Sequence, residues 1–153
     1  QAPRWERVEG VNGDDVPARQ MAVMGFREAT GEVLLFGGNG ADGMPRNDLW
    51  SFNPSTGAWT EITPASGPQP APRFSLVGGV DQHADRFVIF GGELADDVIV
   101  SDLWIFDFAT RSWEELKFAN GSPVPEKRYG HAGGVVTFSD NSTFLIASHG
   151  FAS

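Results

Sequence analysis

The chain has 153 residues, of which 41% are apolar, and its 20 acidic and 11 basic side chains give a net charge of −9. The apolar fraction is too high for a disordered tail, and no apolar run approaches the roughly 18 residues of a membrane span. An excess of negative charge repels phosphate backbones, which argues against nucleic-acid binding. The chain has no cysteine, which excludes disulfides, zinc–thiolate clusters and cysteine nucleophiles.

A repeat of 54 residues organises the chain. Four kinds of landmark return in the same order: a tryptophan, an arginine, a diglycine and an Asp-Leu-Trp segment. They are Trp5, Trp59 and Trp113; Arg19, Arg73 and, one residue later than the period, Arg128; Gly37-Gly38 and Gly91-Gly92; and Asp48-Leu-Trp50 and Asp102-Leu-Trp104. Several landmarks sharing one period indicate a repeat architecture.

Each repeat contains short β-type runs separated by turn residues, and no segment has a sustained helical period. The second run of each full repeat is continuously apolar, which is typical of a strand covered on both faces. Proline-rich connections such as residues 63–72 are predicted to be ordered loops. In chain order we predict strands at residues 5–8, 20–26, 32–36, 48–53, 59–62, 74–80, 86–90, 102–108, 113–116, 131–138 and 143–147.

Four antiparallel strands returning about every 50 residues are typical of a propeller blade. On these residues the chain resembles kelch repeats. It carries the diglycine that ends the second strand, the Asp that precedes the third-strand aromatic residues, the fourth-strand tryptophan and, most fully, Arg128-Tyr-Gly-His131. Two departures are Trp-x-Phe in place of the usual third-strand tyrosine, and Ser148-His149-Gly150 in place of the third diglycine. The resemblance implies an all-β fold, a partial β-propeller of four-stranded antiparallel kelch-type blades.

The repeat predicts one domain built from successive blades. Residues 1–10 are expected to hold the outer strand of a preceding blade, residues 17–62 and 72–116 two blades, and residues 126–153 the first half of a third. A closed ring needs roughly four to eight blades. We therefore expect the chain to be an arc of a longer propeller, with the remaining blades supplied by the same or another chain.

The resemblance also implies that one rim binds a protein or peptide partner. The loops expected there precede the first strands (residues 11–19, 64–73 and 117–128) or connect second and third strands (residues 39–47 and 93–101). Loop 39–47 is predicted to be flexible and is mixed in charge. Loop 93–101 is acidic and then apolar, which favours a partner with basic and apolar groups. The candidate binding residues are Arg19, Arg73, Arg128, Asn39, Arg46, Glu93, Asp96 and Asp97.

The three repeated arginines have two interpretations. They could face a carboxylate-bearing ligand, which a guanidinium grips through two hydrogen bonds. Alternatively, each could brace its own loops through backbone carbonyls or a neighbouring acid. Repetition in every blade favours bracing, because a ligand rarely needs the same residue from each.

No catalytic constellation, metal site or cofactor is expected in this chain, and the function predicted is a non-enzymatic protein-interaction module. Asp96, Asp97 and Asp102 lack the spacing of an EF-hand and are interpreted as solvated. His131 takes a framework position, and His149 is the one histidine considered as a ligand or base. The alternative is a propeller-scaffold enzyme of the carbohydrate oxidase, sugar isomerase or iron-dependent specifier type, with its site in other blades. The oxidase chemistry needs a Cys–Tyr crosslink that a chain with no Cys and one Tyr cannot form.

The cell compartment is open between cytoplasmic and extracellular. Asn120-Gly-Ser122 and Asn141-Ser-Thr143 match the glycosylation sequon, which functions only in a secreted chain.

Overall fold

The computed structural model describes residues 4–5 and 16–152, which form an all-β structure. Besides strands, the one helical element in this part of the chain is a 3-10 turn at Ala95–Asp97. The strands are β1 (Arg19–Gln20), β2 (Val23–Arg27), β3 (Glu32–Phe36), β4 (Asn39–Gly40), β5 (Leu49–Asn53), β6 (Ala58–Glu61), β7 (Val77–Asp81), β8 (Arg86–Glu93), β9 (Ile99–Asp107), β10 (Ser112–Leu116), β11 (Arg128–Tyr129), β12 (Ala132–Thr137), β13 (Thr143–Ser148) and β14 (Phe151–Ala152).

The strands form two complete blades and a hairpin. β2, β3, β5 and β6 make the first antiparallel sheet, β7 to β10 make the second in the same order, and β12 pairs with β13. The register repeats as well, because Phe52 lies opposite Trp59 in the first sheet and Phe106 lies opposite Trp113 in the second. The predicted all-β blades are confirmed.

The first strand of each blade begins later than predicted. Met21, Ser75 and Gly130 occupy equivalent positions and have positive φ angles of 58°, 54° and 61°. A left-handed residue interrupts the extended backbone, so the predicted strands at 20–26 and 74–80 split into a short rim segment and the strand proper. Gly130 precedes the strand predicted at 131–138, and β12 begins one residue later than predicted. β8 and β9 instead extend further than predicted, because pairing resumes beyond the diglycine after an irregularity between Phe90 and Gly92.

The first strands of successive blades pack side by side, with β7 between β2 and β12. Gly25 makes this approach possible: a Cβ at that position would lie only 3.2 Å from the Cα of Gly79 and 3.1 Å from the Phe87 ring. Gly79 in turn lies against Val135, which would be 3.1 Å from an added Cβ. Glycine on these strands therefore permits the close convergence that stacked blades need.

The core lies between the two blades. The Phe36 ring on the first blade is 5.1 Å from the Trp113 ring on the second, and the Trp113 ring is 5.2 Å from Phe106. Phe36 and Phe106 are fully buried. Trp59 makes the equivalent contact with Phe52, at 4.9 Å, but is only half-buried. The prediction that the fourth-strand tryptophan packs against a neighbouring blade is confirmed for Trp113.

The outer strand predicted from Trp5 falls mostly outside the described residues. Trp5 itself is fully exposed and belongs to no described strand, and the assignment of residues 1–10 stays a prediction. Among the described residues, no helix has the length and apolar character needed to cross a bilayer.

Candidate binding site between two rim loops

The ends of the second strands and the starts of the first strands lie at the same end of the blades. The Phe74 amide donates to the Glu93 carbonyl at 3.0 Å, and the Glu93 amide donates back at 2.9 Å. The Arg73 amide donates to the Arg46 carbonyl at 2.9 Å, which connects the second blade to the loop of the first. Both sets of loops named in the sequence analysis therefore meet at one rim.

The first rim loop, residues 39–47, is more regular than the flexible loop expected. Asn39 and Gly40 form β4, which pairs with β1. The Gly40 amide donates to the Met44 carbonyl at 3.0 Å, and the Met44 amide donates to Asp42 Oδ1 at 3.1 Å. The Asp42 pKa is lowered by this amide and by the Arg46 guanidinium, 2.7 Å away. These bonds form because Asp and Gly supply the side-chain acceptor and the turn geometry that the loop requires.

The second rim loop is the acidic segment between β8 and β9. The Leu94 amide donates to the Val98 carbonyl at 2.8 Å and closes the turn. Asp96 and Asp97 both have φ of 58°, a left-handed conformation that aspartate tolerates better than most residues. Ile99 and Val100, predicted as loop, belong to β9.

A groove of about 280 Å³ separates these two loops. One wall comes from the first blade and the other from the second. The lining residues are Asn39, Gly43, Met44 and Pro45 on one side, and Phe74, Glu93, Leu94, Ala95, Asp96 and Asp97 on the other. Four of the eight predicted site residues, Asn39, Glu93, Asp96 and Asp97, are thus brought together.

The groove is rich in hydrogen-bond acceptors. Partial burial raises the pKa of Glu93, and the neighbouring Asp97 carboxylate adds to the shift. The buried Asn39 Oδ1 has no hydrogen-bond partner within the described part of the chain, and neither has Arg46 Nε. The acceptors on the walls are therefore the carboxylates of Glu93, Asp96 and Asp97, which a donor-bearing ligand would satisfy.

Arg19 and Arg73 lie at the rim but are occupied by the chain itself. Arg73 donates through Nε to the Ala71 carbonyl at 3.0 Å and through Nη1 to the Gly91 carbonyl at 3.2 Å. It also donates two bonds to Asp102, at 2.6 and 2.9 Å. Arg19 repeats every contact with Pro17, Gly37 and Asp48.

The acids that hold these arginines also bind the third-strand tryptophans. Trp50 Nε1 donates to Asp48 at 2.6 Å, and Trp104 Nε1 donates to Asp102 at 2.7 Å. Burial opposes the ionisation of both acids, but the bonds from arginine and tryptophan outweigh it and leave each pKa below its usual value. Arg19 and Arg73 each donate to backbone carbonyls and to an acid of their own blade, which is the arrangement that the bracing interpretation expects. Its sequence signal is an Asp 29 residues after each Arg.

The remaining predicted residues lie elsewhere. Arg128 borders the third blade and donates to the His149 carbonyl at 3.3 Å. His149 has φ of 62°, close to the 65° of Gly91, and stands where the diglycine was expected, as predicted. His131 is buried with its ring 5.9 Å from Phe90. Met44 and Leu94 lie in the predicted rim loops but were not among the candidate residues, and Phe74 was assigned to a first strand. Phe74 reaches the groove through its pairing with Glu93 within the second blade, and the stacking of the blades places Met44 opposite.

Nothing in the described part of the chain resembles a metal centre. Across residues 4–5 and 16–152, no group of three or more His, Asp or Glu side chains could hold a metal ion. Asp96 and Asp97 lie on the rim, whereas Asp102 pairs with Arg73.

Similar proteins were found by sequence and by structure. Tip elongation aberrant protein 1 of Schizosaccharomyces pombe is 32% identical over 69% of this chain and 9% of its own length. Acyl-CoA-binding domain-containing protein 4 of Arabidopsis thaliana is 34% identical over 71% of this chain and 15% of its own length. Dynein regulatory complex subunit 7 of Chlamydomonas reinhardtii is 28% identical over 76% of this chain and 10% of its own length. The chain therefore spans a small fraction of each of these relatives.

The solved structure of YjhT aligns with 84% of this chain and 44% of its own, with a TM-score of 0.57 and 21% identity, which supports the fold. The family model described as the KLHDC2/KLHL20/DRC7 Kelch-repeats domain matches residues 1–149. Together with the repeated sheets, these matches show that the chain belongs to the kelch-repeat family and forms part of a kelch-type β-propeller.

Proposed function

We propose that the chain is a non-enzymatic interaction module that binds a protein or peptide through the groove between residues 39–45 and 93–97. The observation that carries the proposal is the meeting of two different loops, from neighbouring blades, across one groove. Propeller strands are scaffold, and binding residues are usually found on the loops that such a scaffold positions. The name of one relative, a dynein regulatory complex subunit, agrees with a role in assemblies.

The chemistry of the groove favours a ligand with basic and apolar side chains. Glu93, Asp96 and Asp97 supply negative charge. Met44 is 55% exposed beside them and offers a flexible apolar contact. A lysine or arginine flanked by an apolar residue would complement both features.

The hydrogen bonds that fix the conformation of the acidic loop also support binding. The double hydrogen bond between Phe74 and Glu93 and the turn between Leu94 and Val98 hold the acidic wall in place without a ligand. A preorganised surface loses less conformational entropy on association, so more of the contact energy appears as affinity.

The experiment is a selection of peptides from a random display library on the purified chain. The test variant is E93Q/D96N/D97N, in which asparagine keeps the left-handed backbone of the aspartates available. The control variant, E61Q/E114Q/E126Q, removes three charges from exposed positions outside the groove. We expect selected peptides to contain Lys or Arg beside an apolar residue, and the test variant to bind them about tenfold more weakly or worse.

The control variant is expected to stay within about twofold of wild type, because long-range charge alone is screened by salt. Selected peptides without basic residues, or equal weakening by the two variants, would contradict the proposal.

A further inference from the structure

The dipeptide Asn-Gly occurs three times in the sequence, beginning at Asn12, Asn39 and Asn120. Asparagine is among the thermally labile residues. In this dipeptide the backbone nitrogen of glycine can attack the side-chain amide carbon of asparagine, because glycine has no Cβ to hinder the approach. In a folded chain the reaction also requires that the backbone be free to bring the two atoms together. Asn12 lies outside the described residues, and the structure distinguishes the other two sites.

The pair Asn39–Gly40 is held in place by the rim. The two residues form β4, which pairs with β1, and the Gly40 amide donates to the Met44 carbonyl at 3.0 Å. A Cβ added to Gly40 would lie 2.6 Å from the side chains of Asp42 and Arg46, and Asn39 Oδ1 is buried. The glycine nitrogen is thus engaged and the surroundings are crowded. The attack at this pair requires that β4 first open.

The pair Asn120–Gly121 lies instead at the centre of an exposed turn between β10 and β11. The Ser122 amide donates to the Ala119 carbonyl at 3.0 Å across this turn, and Gly121 has φ of 83°. Within the described part of the chain the Gly121 amide makes no hydrogen bond, and a Cβ added to Gly121 would meet no atom within 4 Å. Asn120 is exposed. The attacking nitrogen and the carbon that it attacks can therefore approach each other without the opening of a strand pair.

We propose that Asn120 is a site of spontaneous deamidation that the fold permits there and suppresses at Asn39. The Gly121 nitrogen forms a bond to Asn120 Cγ, and the bond from Cγ to the side-chain nitrogen breaks. Ammonia leaves with the proton that the glycine amide gives up, and a five-membered succinimide remains. One water molecule then opens the ring. Opening at the side-chain carbonyl gives aspartate, and opening at the backbone carbonyl gives isoaspartate, in which the main chain runs through the side-chain carbon.

Either product changes the connection between the second and third blades. Each adds a negative charge three residues from Lys117, and isoaspartate also lengthens the main chain by one atom. Both products remove the side-chain amide of the sequon Asn120-Gly-Ser122, to which a glycan would be attached. Deamidation and glycosylation therefore exclude each other at this residue.

The test incubates the folded chain at neutral pH and physiological temperature and follows each asparagine by tryptic digestion and mass spectrometry. Trypsin places the three Asn-Gly pairs on separate peptides, residues 8–19, 28–46 and 118–127. We expect peptide 118–127 to acquire aspartate and isoaspartate, and peptide 28–46 to react about tenfold more slowly or less, because β4 must open before Gly40 can attack. Methylation by an isoaspartate-specific methyltransferase distinguishes isoaspartate from aspartate.

Two controls separate the effect of the fold from that of the dipeptide. In urea, where β4 is lost, the rates at Asn39 and Asn120 are expected to converge, because the two dipeptides are then chemically alike. The variant N120Q should leave peptide 118–127 unmodified, because the longer side chain would have to close a larger ring. Equal rates at Asn39 and Asn120 in the folded chain would overturn the proposal, as would a rate at Asn120 that folding reduces as much as it reduces the rate at Asn39.

Discussion

At the scale of single residues, the repeated Arg–Asp–Trp contact fixes the rim. Arg73 is 1% exposed and ties two loop carbonyls to the third strand of its blade through Asp102. A buried guanidinium is tolerated only when its donors are satisfied, and here the chain itself supplies each acceptor. Arg19 and Asp48 repeat the arrangement in the first blade, so the same contact holds the rim of both blades.

The variant R73Q is expected to lower the free energy of unfolding by about 3 kcal/mol, because it leaves a partly buried carboxylate without its counter-charge. Urea denaturation checks this. The matched control is R86Q, whose pair with Asp107 is exposed and should contribute less than about 1 kcal/mol. Losses of the same size in both variants would contradict the bracing interpretation.

His131 gives the chain a pH dependence. Burial, and then the nearby positive charge of Arg128, lower the pKa of its ring. When the pH falls below the unfolded value of about 6.5, the unfolded chain binds a proton and the folded chain does not. Stability should therefore decrease as the pH falls below about 6.5, and level off below the folded-state pKa.

The measurement is the urea midpoint at pH 7.5 and at pH 5.5. We expect His131→Phe to reduce the difference between the two midpoints, whereas His83→Gln, at an exposed turn, keeps it. An unchanged difference in the His131 variant would show that another group is responsible.

At the scale of elements, stability depends on the aromatic contact between blades. Trp113 is 4% exposed and touches both Phe36 of the preceding blade and Phe106 of its own. Trp59 has the equivalent position in its blade and contacts Phe52, but it is only half-buried.

The variant W113A should therefore cost about 3–5 kcal/mol, the range for removing a large buried aromatic side chain. W59A is the internal control, with a clearly smaller loss in the same urea titration. Equal losses would mean that the contact between blades contributes nothing beyond the contact within each sheet.

The blades were predictable from the sequence because the repeat fixes strand order and the apolar runs fix the buried strands. The late starts of β2 and β7 were not predicted, since Met21 and Ser75 are not residues that mark a left-handed position. The start of β9 at Ile99, before the strand predicted at 102–108, was missed because β8 and β9 pair beyond the diglycine and no local signal marks that pairing.

The candidate site was predicted only in part. The acidic residues of the second rim loop stand out in the sequence, and the family resemblance placed them on a rim. Phe74 joins them through its backbone pairing with Glu93, a contact between segments 19 residues apart. The opposite wall, with Met44, comes from another blade. The pairing of Phe74 lies within the second blade, and the placement of Met44 follows from blade stacking; the local sequence encodes neither.

At the scale of the whole molecule, the stacking of kelch blades produces two surfaces of different character. Between the loops of adjacent blades lies an acidic and apolar groove, and beyond the second blade lies an apolar cavity beside the hairpin β12–β13. Phe144 and Ile146, which are 55% and 52% exposed, lie on the face of the hairpin opposite the cavity-lining Leu145 and Ala147, because successive side chains of a strand point to opposite faces.

The most direct test of the proposed function is a map of amide chemical shifts as a selected basic peptide is titrated into the isotopically labelled chain. We expect the largest changes to fall together on residues 39–45, 74 and 93–97, and to saturate with one dissociation constant. Changes confined to the opposite end of the blades, or to one of the two loops alone, would contradict it.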